Sequence, residues 1–295
     1  MSKRFLVRCT GFIGDILFAS SIAKKLHEEH GEGTSVDYYI PFPQPKILLS
    51  MNPYINDVYD EYTFNPSIYI KIIDIPAVNQ QYPATVQFQQ AAQISNITPE
   101  FPVWTVDSYD DAALDMLVEV RKLGKPVVAW QSNWSEKTLR YTLEQYEART
   151  EHGHRNIETI INILNDHVTL VEVGLPVGVT QHSDESKNPY LYAMTASVIK
   201  HCDWMIGGEG GLTNLSAAVG TPTIITTDHL YKQYGPLGNY HRLNRPAMGP
   251  LTYFPEGGHV HLNPFLTDVE VAHAILDCIG VPGAAQALNE WWFNE

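Results

Sequence analysis

Three stretches of the chain carry residue types whose spacing could do chemistry. The first is Gly207-Gly208-Glu209-Gly210-Gly211-Leu212-Thr213-Asn214, set between a short apolar run and an amphipathic segment. Glycines permit backbone dihedrals that side chains forbid. A helix starting just after them offers unsatisfied N–H donors and a partial positive charge, to which a diphosphate can come close. Glu209 could accept hydrogen bonds from ribose or sugar hydroxyls. A plain strand-to-helix turn would use the same glycines, and the spacing alone leaves the two readings level. The second stretch, Gly11-Phe12-Ile13-Gly14-Asp15, puts a carboxylate where a helix should begin. Asp is a good N-cap, by far the commoner use; it could also be a general base, kept ionised by the helix dipole and projecting into a cleft. The third is the polar run from Ser132 to Arg140, in which Lys137 and Arg140 could hold phosphate oxygens or simply be solvated loop charges.

These stretches need strands and helices to position them. Phe5 to Cys9 reads as a strand, followed by a glycine turn and a helix to about His30 with Ile16, Ala19, Ala23 and Leu26 on one face. Val36–Ile40 and Tyr69–Ile75 read as further strands. The Gln-, Asn- and Pro-rich region 76–102 is too long for a simple connection and implies a partly helical insertion or a loop over a cleft. Tyr109–Leu123 should be a helix with Leu114, Leu117 and Val118 inward, ended by Gly124-Lys125-Pro126. A domain boundary there gives 1–124 and 125–295. The alternation then restarts with a strand at Val127–Gln131, an Asn156-capped helix and a strand at Val168–Val173. A helix marked by Leu191, Met194, Thr195 and Val198 leads to a strand over Trp204–Ile206. After the glycine loop, Leu212, Leu215, Ser216 and Val219 mark a helix stopped by Gly220 and Pro222, and β-branched Thr223–Thr227 completes the sheet. Thr267 and Glu270 form a capping-box pattern before a last helix. The aromatic tail Trp291-Trp292-Phe293 could dock across the domain junction.

Composition narrows the function. A chain of 295 residues with 44% hydrophobic and 18% charged residues can bury the core of a two-domain globular protein. Its net charge of -14 argues against a sequence-independent grip on nucleic acid, though a local basic groove stays open. No run approaches the ~20 apolar residues of a membrane span, and the start lacks a signal-peptide core. Cys9, Cys202 and Cys278 read as buried thiols in a reducing cytoplasm. The close pairs His152–His154 and His259–His261 lack a completing ligand pattern, so no metal is expected. There is no Gly-x-Ser-x-Gly elbow, Walker loop or complete dinucleotide fingerprint.

Two βαβ-rich halves with a glycine turn in each resemble the GT-B glycosyltransferases: two Rossmann-like domains facing a cleft, with a C-terminal helix that can cross back. More narrowly, the motifs resemble glycosyltransferase family 9, the lipopolysaccharide heptosyltransferases. Gly14-Asp15-Ile16-Leu17 matches that family's N-terminal Gly-Asp and apolar helix. Gly208 to Thr223 follows its second signature, Asn/Val-Asp-Ser/Thr-Gly-Leu-Ser-His-Leu-Ala-Ala-Ala-Leu-Gly-x-Pro-Thr, and Tyr234-Gly235-Pro236-Leu237-Gly238 is similar to its Trp-Gly-Pro-x-Gly. The resemblance is strong over about 50 residues of the C-terminal half, fair around Asp15 and weak between. It implies an inverting transfer from a nucleotide-diphosphate-sugar such as ADP-heptose, with Asp15 as general base and no metal, helix dipole and cations stabilising the leaving group. It also implies a substrate site of Gly11, Gly14, Ser132, Lys137, Arg140, Gly208, Glu209, Gly210, Gly211, Leu212, Thr213 and Asn214. Three departures stand out: Glu209 for Asp, Gly210 for Ser or Thr, and Asn214 for His. They open the donor's identity and admit a nucleotide-sugar binding protein without transferase activity. A saccharide is the expected acceptor, with protein or a nucleic-acid base as the alternatives; a nucleotide-sugar epimerase is a weaker one.

Overall fold

The computed structural model describes residues 3–11, 13–41, 45–76, 84–97, 109–131, 157–174, 191–208, 211–227, 242–244, 259–262 and 267–282. The first half builds β1 (Lys3–Arg8), α1 (Ile13–His30), β2 (Thr34–Tyr39), α2 (Lys46–Ser50), β3 (Val58–Tyr59), β4 (Lys71–Asp74), α3 (Ala84–Ala92) and α4 (Asp110–Arg121). Its strands form a four-stranded sheet in the order β3-β2-β1-β4, parallel throughout. The second half builds β5 (Val127–Trp130), α5 (Ile157–Asn165), β6 (Thr169–Glu172), α6 (Leu191–Lys200), β7 (Trp204–Gly208), α7 (Gly211–Ala218), β8 (Thr223–Thr227), β9 (Arg242–Asn244), β10 (His259–Leu262) and α8 (Asp268–Ile279). The six strands run in the order β6-β5-β7-β8-β10-β9, parallel except for β9 against β10.

The β-branched and apolar runs become the buried strands that parallel sheets require. Phe5 and Val7 face a core with α1, while Leu6 points to the opposite face, against Phe64 and Tyr69. In the second half, Val128, Trp130, Ile206 and Ile224 pack with Ile160, Val271 and Ile275 from α5 and α8. The capping box forms as expected, Thr267 Oγ1 accepting from the Glu270 N–H and Glu270 accepting from the Thr267 N–H. Gly220, beyond the end of α7, takes a left-handed φ of 83°. The 76–102 region is partly helical, because α3 packs Phe88 against α1. The Asn156 cap and the Trp291–Phe293 tail lie outside the described residues.

Three expectations are corrected. The second sheet does not end at β8 but continues through β10 and β9, whose short segments carry too little apolar pattern to read as strands. On α4 the inward face is Ala113 and Leu117, while Leu114 and Val118 are 40% and 46% exposed. Polar contacts set that rotation: Asp110 accepts from Ser197 Oγ and Lys200 Nζ, and Arg121 donates to the His201 carbonyl, so 110, 113, 117 and 121 share one face. Helix α1 has more than one buried face, since Ile16 through Ala23 are all buried between the sheet, α3 and α7. Ser20 and Ser21 are accommodated there by donating to the carbonyls of Leu17 and Phe18.

Candidate functional site

Open parallel sheets bind ligands outside the carboxyl ends of the strands, where the strand order reverses. In the second sheet the chain leaves β5 for β6 on one side and returns as β7 on the other, so the reversal lies between β5 and β7. Gly207 and Gly208 end β7 there, and the register with β8 shifts between them. Their carbonyls are held by Thr226 Oγ1 at 3.4 Å and Thr213 Oγ1 at 3.3 Å. A Cβ on Gly207 would stand 2.8 Å from Gln131 Oε1 and 3.2 Å from Thr213 Cγ2, so a side chain there would press on Gln131 and on α7. At its other end α7 is tied to β8 through Ser216 Oγ, which donates to the Thr221 carbonyl and accepts from Thr223 Oγ1.

Gln131 was not singled out as a site residue in the sequence. It follows the last residue of β5, is 1% exposed, and its Oε1 has no hydrogen-bond partner among the described residues. A buried carbonyl oxygen left unpaired costs about 1–3 kcal/mol, which makes it a candidate acceptor at the reversal point. The signal available was a polar residue closing the apolar run Val127-Val128-Ala129-Trp130 at the reversal point.

Helix α1 begins at Ile13, so Asp15 is the third residue of its first turn rather than the cap. Ile13 and Gly14, its first two residues, lie against the start of α7. Asp15 is folded back over the preceding turn: a Cβ on Gly11 would lie 2.4 Å from Asp15 Oδ2 and 2.7 Å from its Cγ. The neighbouring Cys9 thiol is pushed up to about 12, chiefly by burial, with the Asp15 charge adding to it.

The two helix N-termini meet. A Cβ on Gly211 would stand 2.2 Å from Ile13 Cγ2 and 3.8 Å from the Gly14 nitrogen. One on Gly14 would stand 2.9 Å from Asn214 Nδ2. Asn214 is 3% exposed, and its Oδ1 is a second buried acceptor without a partner among the described residues. Gly11, Gly14, Gly208, Gly211, Thr213 and Asn214 therefore come together with Asp15, while Leu212 turns away toward Gly174. Ser132, Lys137, Arg140, Glu209 and Gly210 lie outside the described residues. Among the described residues no group of three or more His, Cys, Asp or Glu could hold a metal ion, and no helix is long and apolar enough to cross a membrane.

No protein-family model and no curated protein matches the sequence. Solved structures do match the fold. A glycosyl transferase family 9 structure from Veillonella parvula superposes with a TM-score of 0.62 at 10% identity, covering 94% of this chain and 97% of that one. The ADP-heptose LPS heptosyltransferase II of E. coli superposes with a TM-score of 0.59 at 12% identity, covering 94% and 98%. The chain thus has the α/β fold of glycosyltransferase family 9 structures over nearly its whole length.

Proposed function

We propose that the protein is an inverting, metal-independent GT-B glycosyltransferase that moves a sugar from an ADP-heptose-like nucleotide-diphosphate-sugar to an acceptor hydroxyl. The observation that carries this reading is the end-to-end meeting of α1 and α7, with Gly14 nitrogen 3.8 Å from the Cβ position of Gly211. It sets a carboxylate one residue away from the anion-attracting start of a helix. The donor diphosphate would lie across the N-terminus of α7 and the 208–214 loop, with Ser132, Lys137 and Arg140 completing its grip. Domain 1–124 would present the acceptor, and domain 125–295 the donor, across a cleft that the C-terminal segment spans. Asp15 accepts the acceptor's hydroxyl proton as the oxygen attacks the anomeric carbon, and the sugar–phosphate bond breaks with inversion. The negative charge developing on the leaving diphosphate is stabilised by oriented N–H groups and the two cations, with no metal required.

Asp15→Asn keeps the shape and removes the base. Positioned general bases contribute about 10²- to 10⁴-fold, so transfer should fall by that factor while donor stabilisation in a thermal-shift assay without metal stays near wild type. Undiminished transfer by Asp15→Asn would overturn the assignment. Donor binding by the wild type with no transfer to any acceptor would identify a nucleotide-sugar binding protein instead.

A further inference from the structure

Among the described residues of the first half, every Lys and Arg side chain has a hydrogen-bond or ion-pair partner. Arg4 pairs with Asp37, Lys25 with Glu28 and Lys46 with Asp60, while Lys3 and Lys71 donate to the carbonyls of His30 and Ala92. On the helices, Lys24 faces Glu28, Lys122 faces Glu119 and Arg121 holds the His201 carbonyl. The remaining cation, Arg8, grips Asp74 with two parallel hydrogen bonds of 2.5 and 2.7 Å. The residues of 1–124 outside the described set include no Lys or Arg.

Arg8 and Asp74 stand at a defined place in the fold. The first sheet runs outward from β1 through β2 to β3 and places β4 on the far side of β1, so its order reverses between β1 and β4. Arg8 ends β1 and Asp74 ends β4, and their ion pair closes that reversal point. Bidentate Arg–carboxylate pairs are among the stronger charge-assisted contacts, and Arg8's hydrogen bond holds the Asp74 carboxyl below its ordinary value. Tyr62 lies beside them, its hydroxyl 3.3 Å from an Arg8 nitrogen. Its ring is 60% exposed yet braced, 4.3 Å from Phe64 and edge-on to Tyr39 at 5.6 Å between centroids. Arg8 is three residues from Gly11, which bounds the distance between their backbones at about 10 Å.

An anionic acceptor would have to break the Arg8–Asp74 pair and face the carboxylate it released. An uncharged sugar meets the surface as it stands. Its C–H face suits the electron-rich face of an aromatic ring, and a few fixed donors and acceptors beside an apolar wall are the usual make-up of a small-molecule site. We propose that the acceptor of this enzyme is an uncharged saccharide that lies on Tyr62, with Arg8 and Asp74 hydrogen-bonding its hydroxyls. This rests on the glycosyltransferase reading and adds the acceptor's class.

The test is binding of the purified full chain to an immobilised panel of uncharged, phosphorylated and uronate-containing oligosaccharides. Nucleotide-sugar donor binding is measured separately by thermal shift. Uncharged glycans should be retained, Tyr62→Ala should weaken them about tenfold, the size of one aromatic contact, and Tyr62→Phe should restore them. Preferential retention of anionic glycans, retention of none, or unchanged binding by a folded Tyr62→Ala would overturn the proposal. Loss of donor binding alone would instead strike at the transferase reading.

Discussion

Replacing Gly211 by alanine tests the junction on which the proposed chemistry depends. The added methyl would stand 2.2 Å from Ile13 Cγ2 and 3.6 Å from Ile13 Cβ. Carbon atoms in contact sit about 3.5–4.0 Å apart, so roughly 1.5 Å must be found. Ile13 cannot readily swing away, because a β-branched residue in a helix has one strongly preferred χ1. The N-termini of α1 and α7 must therefore part by about 1 Å. Overpacking of this kind costs about 1–3 kcal/mol, offset by at most about 1 kcal/mol from removing a helical glycine. The net loss of stability should be modest and measurable by urea unfolding. The larger effect should be on catalysis, since a misplacement of about 1 Å can lower turnover about 100-fold. Ile13→Ala removes the offending methyl, so the double variant Ile13→Ala/Gly211→Ala should recover much of the turnover lost by Gly211→Ala alone. Gly14→Ala is the control, because its methyl meets only the terminal nitrogen of Asn214 at 2.9 Å, an atom that can move. Wild-type turnover in Gly211→Ala, or a loss that Ile13→Ala does not repair, would refute the end-to-end packing as the arrangement that matters.

Other outcomes follow from the same contacts. Gln131→Met should leave the urea midpoint unchanged or raised, since Oε1 has no partner to lose, while donor affinity by thermal shift should fall several-fold. Unaltered affinity would remove Gln131 from the site. The Asp60, Asp74 and Asp110 carboxyls all titrate below their ordinary value. For Asp60 and Asp74 the cause is first a hydrogen bond from Lys46 and from Arg8; for Asp110 burial opposes the shift, and Lys200 and Ser197 outweigh it. A depressed carboxyl stabilises the fold above its unfolded pKa of about 3.9 and ceases to do so as pH falls through the lower folded value. The unfolding midpoint should therefore be flat in this respect above about pH 5 and drop below about pH 4, less steeply in Asp110→Asn. Burial pushes the Cys9 and Cys202 thiols up to about 12, so a chromogenic disulfide reagent at neutral pH should label both only after denaturation.

The two βαβ alternations and most strands were legible because buried parallel strands and helix stops leave strong local marks, as at Thr223–Thr227, Gly220 and Thr267–Glu270. The errors arose where tertiary contacts overrode the local pattern. Helix α4 reads inward at Leu114 and Val118, but Asp110, accepting from Ser197 and Lys200 of α6, and Arg121, donating to the His201 carbonyl, hold it in another rotation. Asp15 reads as either a cap or a general base, and α1 starting at Ile13 leaves it inside the first turn rather than at the cap. The strands β9 and β10, Arg242–Asn244 and His259–Leu262, carry too little apolar pattern to announce themselves. At the site, the glycines were legible as a pattern but not in purpose, because what fills the space beside Gly14 and Gly211 comes from a distant part of the chain. Gln131 illustrates the same limit: nothing near it in sequence says that its carbonyl oxygen is sealed away without a donor.

The glycine junction also bears on how such a protein changes over generations. At Gly11 and Gly211 the requirement is for an absence, since each position must leave room for a neighbouring side chain. A core position filled by Leu can drift to Ile or Met with repacking, but an empty position has no near substitute. Replacement by anything larger must be answered by a second change at Asp15 or Ile13, which makes single steps costly and paired steps rare.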